Sequence, residues 1–163
     1  MRFPRVSGST LDGTHVSLPG GFEGEPTLLI VSFQWQQRSL VDPWCSVADR
    51  LAERYDDFEY RELLVVDWRS RMLVGRTRRA DLLSDDQHDR MLVLRVNKRQ
   101  FRQSLGLLGE ETVYALLVDD GHVVRQAAGF PDSSTIESLL SLLDDWERAR
   151  CPPGGPHRDR CES

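Results

Sequence analysis

"TLLIVSFQWQQRSLVDPW", residues 27–44, decides how this chain folds. Its first part, residues 27–33, is an apolar run of strand length. A strand that is apolar on both sides is covered on both faces, as in the interior of an α/β sheet. Residues 27–33 are therefore expected as the central strand. Beyond it, Asp42 and Pro43 read as an N-cap followed by proline in the first helical position. Alternatively the helix starts near Ser39, and Pro43 kinks it. Leu40, Trp44, Val47, Ala48, Leu51 and Tyr55 recur at spacings of three and four, which builds one amphipathic face.

Toward the N-terminus, "LDGTHVSL" reads as a hairpin around Asp12-Gly13, and "GGFEGEP" as a loop. Toward the C-terminus, residues 58–66 form the next strand, residues 69–83 a helix, residues 90–96 a strand and residues 100–107 a short helix or loop. "TVYALLV" (112–118) and "HVVRQAA" (122–128) flank Asp119-Asp120-Gly121, the best hairpin signal in the chain. Ser133 or Ser134 caps a last helix bearing Leu139, Leu140, Leu142, Leu143 and Trp146. Residues 151–163, "CPPGGPHRDRCES", lack periodicity and are expected to be a disordered tail. Strands and helices that alternate, then close with a hairpin and a helix, imply a mixed sheet between helices. The expectation is one α/β domain over residues 1–150, followed by the tail 151–163.

Composition narrows the function classes. A net charge of −5 argues against generic attraction to nucleic acid. The longest apolar runs have strand length, so no membrane-spanning helix is expected. "MRFPRVSGSTLDG" has no apolar leader region, and Cys45, Cys151 and Cys161 make no dense disulfide framework. Reduced thiols in the cytoplasm are the expectation. Cys151, His157 and Cys161 fall short of the four ligands of a structural zinc, so neither a metal nor a cofactor is expected. The arginine run Arg69, Arg71, Arg76, Arg78 and Arg79 is followed directly by acidic residues and reads first as a solvated face.

The layout resembles the thioredoxin-like superfamily over about residues 5–147. "LDGTHVSLPGGFEGEPTLLIVSF" is similar to the start of peroxiredoxin-like and TlpA-like, membrane-tethered disulfide reductase domains. "VYALLVDDGHVVRQAAGFPDSSTIESLL" is similar to their closing half. A looser resemblance, through Val41, Asp42, Pro43 and Trp44, is to the ATP synthase assembly factors of thioredoxin-like fold. The resemblance implies a three-layer α/β/α sandwich with a mixed central sheet and an N-terminal β-hairpin. It also implies a site at the start of the helix after the first core strand, marked by Trp35.

At that site the register puts Gln36 and Ser39 where the family carries its two thiols. Neither side chain can form a disulfide, and no C-x-x-C occurs in the chain. The family's cis-proline would fall near Glu111 or Thr112, where there is no proline. The expected function is thus that of a redox-inactive binding protein, of chaperone or assembly type. Its partner is another protein, and homo-oligomerisation stays open. The candidate contact residues are Trp35, Gln36, Arg38, Ser39, Trp68 and Phe130, with no catalytic residue. Two alternatives stay open: a thiol peroxidase using Cys45, with Arg38 and Ser39 nearby, and a purely structural domain. Against the first, Cys45 lies on the apolar helix face beside Trp44, Ala48 and Ala52, where it reads as a small buried hydrophobe.

Overall fold

The computed structural model describes residues 1–10, 13–21, 26–67 and 90–150. In chain order come β1 (Val6–Thr10), β2 (His15–Leu18), β3 (Thr27–Ser32), a 3-10 turn (Trp35–Gln37), α1 (Arg38–Arg54), β4 (Glu59–Asp67), β5 (Met91–Val96), α2 (Lys98–Leu105), β6 (Tyr114–Asp119), β7 (His122–Ala128) and α3 (Ser133–Arg150). The helix expected over residues 69–83 and the tail 151–163 lie outside the described residues.

The strands form a seven-stranded sheet in the order β2-β1-β5-β4-β3-β6-β7. β3, β4 and β5 run parallel, and the remaining neighbours pair antiparallel. All six residues of β3 are buried, as its composition requires. Leu28 and Ile30 face α1 and α3, where they pack with Trp44, Leu51, Leu139 and Leu143. Leu29 and Val31 face the other way, toward Phe101 and Leu105 of α2. β3 is interior, but the middle strand of the seven is β4.

Local chemistry sets the element ends. α1 begins at Arg38, so Pro43 lies inside the helix rather than at its start. Asn97 caps α2 by accepting from the Gln100 amide at 3.1 Å, and Gly106 ends it in the left-handed region at φ 68°. The β6–β7 turn places Asp120 and Gly121 at φ 49° and 76°, the two positive values a type I′ turn demands. The cap of α3 is Asp132, not Ser133 or Ser134: its carboxylate accepts from the Thr135 amide at 2.7 Å.

The face opposite α1 and α3 carries α2 and an N-terminal strap that the sequence reading missed. The Met1 carbonyl accepts from Val123 at 2.7 Å, and the Phe3 amide donates to Gly121 at 2.8 Å. Phe3, 1% exposed, stands edge-on to Phe101 at 6.2 Å. The strap thus begins at the β7 edge, covers that face of the sheet, and leads into β1. These layers make a thioredoxin-like α/β/α sandwich. Among the described residues no helix is long and apolar enough to cross a membrane.

Candidate binding site

The parallel strands β3 and β4 deliver their following segments to one end of the sheet, where α/β proteins place their sites. At that end the turn Trp35–Gln37 meets the segment before β6. The join is the Gln37 side chain, 6% exposed. Its Oε1 accepts from the amides of Phe33 at 2.9 Å and Gln34 at 3.3 Å. Its Nε2 donates to the Glu110 carbonyl at 2.7 Å. One amide group therefore closes the turn and holds the 109–112 segment against it. Sequence reading passed over Gln37; a glutamine in a polar turn gives no signal of a partner 73 positions away.

Further bonds fix the neighbouring loops. The Tyr114 hydroxyl accepts from the Gly109 amide and donates to the Gly109 carbonyl, each at 3.0 Å. The Trp44 indole donates to the Gly129 carbonyl at 2.7 Å, and the Gly129 amide to Val113 at 2.8 Å. Beside this frame an open cleft of about 860 Å³ is lined by Gln34, Arg102, Leu108, Glu110, Glu111 and Tyr114, among others. Two large apolar side chains stay uncovered on these loops, Leu108 at 95% and Phe130 at 64% exposed.

A second polar group lies beneath α1. Glu62 of β4 is 3% exposed. It accepts from Arg38 Nη1 at 2.7 Å and from the Cys45 thiol at 3.2 Å. Arg38 also reaches Asp42 at 3.1 Å. Burial, then the Glu62 charge and the hydrogen bond to it, push the Cys45 thiol far above its ordinary pKa, and nearby Arg38 offsets only part of this. A thiol held protonated is a poor nucleophile. One turn further along α1, Asp49 accepts from the Tyr60 hydroxyl at 2.6 Å, and the Arg90 guanidinium lies over the Tyr60 ring at 4.4 Å.

The residues singled out by sequence separate into three groups. Trp35 and Gln36 lie in the turn beside the 109–112 segment, with Gln36 exposed, and Ser39 is exposed in the first turn of α1. Phe130 is exposed on the loop that Trp44 fixes. Arg38, 19% exposed, turns its Nη1 inward to Glu62. Trp68, the 69–79 arginine run and Cys151, His157 and Cys161 lie outside the described residues. Cys45 is half-buried and bonded to Glu62 rather than set among apolar atoms alone. Near Glu111 and Thr112 the backbone has no cis bond; among the described residues the cis peptide is Leu18–Pro19. Among the described residues no cluster of three or more His, Cys, Asp or Glu side chains could hold a metal ion.

No protein-family model and no curated protein matches the chain. Solved structures do. The pneumococcal exposed lipoprotein thioredoxin Etrx1 of Streptococcus pneumoniae is 18% identical, with 87% of this chain and 99% of that chain covered at a TM-score of 0.55. A thiol:disulfide interchange protein DsbE from Chlorobium tepidum is also 18% identical, covering 88% and 94% at 0.53. The copper-bound ScoI of Arabidopsis thaliana is 12% identical, covering 89% and 99% at 0.61. Identities this low speak for the fold alone.

Proposed function

We propose that this thioredoxin-like chain is a non-catalytic binding protein that takes a protein partner at the sheet end bearing Trp35, Gln36 and Phe130. The observation that carries the reading is Gln37. Its amide spans the junction between the turn and the 109–112 segment: two hydrogen bonds close the turn and a third reaches the Glu110 carbonyl. The positions that redox relatives give to thiols are Gln36 and Ser39. The one described cysteine donates its hydrogen bond to Glu62 under α1 and has a raised pKa. Exposed Leu108 and Phe130 beside a rigid frame suit protein contact, where apolar and aromatic anchors supply most of the affinity.

Two measurements test this. Wild-type protein is expected to show neither dithiol-driven insulin reduction nor peroxide turnover. A native partner recovered on immobilised protein is expected to be lost with Trp35→Ala and Phe130→Ser, each shown to be folded by its melting curve. Recovery unchanged in both variants would favour a purely structural domain. Peroxide turnover that disappears in Cys45→Ser would overturn the non-catalytic reading.

A further inference from the structure

β7 closes one edge of the sheet, and five of its seven residues are exposed. Natural edge strands are guarded by proline, charge, a bulge or a covering segment, because open main-chain groups invite another strand. Here the guard stops partway. The strap covers the start of the edge, through the Arg2–His122 bridge and the bond from the Val123 amide to the Met1 carbonyl. A register shift follows opposite Leu117 and Val118. Residues 124–128, "VRQAA", then hold no proline and no acid, and among the described residues no strand pairs with their outer side. Gly129, in the left-handed region at φ 79°, ends the strand.

The free stretch has its main-chain groups in place. The Gly129 amide turns inward to the Val113 carbonyl. Peptide groups alternate between the two sides of a strand, so those of Ala128 and Gln126 turn outward. Exposed apolar side chains also gather along this edge. Met1, on the strap, is 61% exposed and Val124 48%, and Phe130 stands uncovered two residues past the strand.

We propose that the β7 edge is a homodimer surface, on which residues 124–128 of two copies pair antiparallel about a two-fold axis at Gln126. A two-fold contact must complement itself, and this one does. Gln126 is the midpoint of the free stretch, and its outward amide and carbonyl meet the carbonyl and amide of the same residue in the second copy. Val124 falls opposite Ala128 of the second copy, and Arg125 opposite Ala127. The one charge of the stretch therefore never faces itself, which like charges on paired strands would oppose. Past the paired residues, the strap of each copy comes next to Gly129 and Phe130 of the other. A second copy is favoured over an unrelated strand because one pairing brings Phe130 toward Met1 at both ends. The surface runs along the sheet edge, two strands away from β3 and the Trp35–Gln37 turn that follows it.

Sedimentation velocity of the full chain tests this. The mass is expected to rise from one chain toward two between about 1 μM and about 300 μM protein. Proline at an outward amide spares the ladder to β6 and blocks strand addition. Ala128→Pro is therefore expected to weaken the dimer about tenfold or more, the loss of one or two hydrogen bonds. Cross-linking reads the register, in a chain whose own cysteines, Cys45, Cys151 and Cys161, are replaced by serine. Directly paired residues lie about 5.5 Å apart between Cα atoms, within disulfide reach. Gln126→Cys is expected to give a disulfide-linked dimer on oxidation, and Arg125→Cys, whose counterpart lies two residues out of register, is not. Melting curves first show each variant folded; if Ala128→Pro is not, the cysteine pair decides. Trp35→Ala is expected to leave the dimer intact, so this inference and the binding reading stand or fall separately. A monomer at every concentration, a dimer unaffected by Ala128→Pro, equal cross-linking of the two cysteine variants, or a dimer lost in Trp35→Ala would overturn the proposal.

Discussion

Glu62 is a carboxylate in the apolar strand "ELLVV", 3% exposed, whose Oε1 accepts from both Arg38 and the Cys45 thiol. The pair bonds the first turn of α1 to β4. It therefore helps place the residues that precede it, including Gln36 and Gln37. Such a pair is costly to break from one side and cheap to replace whole, because the loss comes from stranding a buried charge. Arg38→Met is expected to destabilise by about 3 kcal/mol, with Glu62→Met somewhat milder because Arg38 keeps Asp42. The double variant is expected to cost less than Arg38→Met alone. Urea denaturation of the three variants checks the cycle; additive losses would show that the two groups act independently. Arg38 was read from sequence as a candidate partner contact. Its partner lies 24 positions away, across a parallel strand pairing that single-sequence patterns do not specify.

At the scale of elements, hydrophobic periodicity carried most of the information. β3, β7 and the 119–122 turn fall where the apolar runs and Asp-Gly signal predict. β4 and β6 are shifted by one or two residues. Ends set by side-chain hydrogen bonds were less legible. Asp132, Ser133 and Ser134 are all acceptable caps, and only the observed bond to Thr135 selects the first. Sheet order beyond the hairpins was not legible, since β1 meets β5 through a pairing that no local pattern encodes. The start of α1 was left open between Ser39 and Asp42, and the helix runs from Arg38 through Pro43. An interior proline removes one backbone hydrogen bond and crowds the carbonyl four residues earlier, here that of Ser39. Since Arg38–Glu62 anchors the helix start, Pro43→Ala is expected to raise stability by about 1 kcal/mol and to leave partner binding intact. A denaturation midpoint that falls, or binding that is lost, would show that the proline itself shapes the site.

The whole molecule carries an alkaline limit written into its buried donors. Cys45, Tyr55 and Tyr60 all have pKa values pushed above the ordinary range, in each case first by burial and then by a neighbouring acid. The unfolded chain releases the thiol proton near pH 8.5 and the phenol protons near pH 10, by about the values of model peptides. The folded chain retains all three. Their contribution is complete below about pH 8.5 and declines as pH rises, because the unfolded state then binds fewer protons. The urea midpoint is expected to fall between about pH 8 and about pH 10.5, and the double variant Cys45→Ala with Tyr60→Phe to flatten that fall. An unchanged slope would assign the alkaline loss to other groups.

The N-terminal strap has a consequence for the timing of synthesis. Met1 and Phe3 come before every strand of the sheet, yet their main-chain partners are Val123 and Gly121. β1 likewise waits for β5, and β3 waits for β6. Until residue 123 has emerged, a nascent chain can form the β1–β2 hairpin and the β3–β4 pair, but it cannot close the face that Phe3 covers. Assembly of such long-range pairs is slow and leaves apolar strands uncovered meanwhile. The last step of folding therefore reaches back to the segment that precedes β1, and a chain stalled before the final hairpin leaves the ribosome with its sheet open on one side.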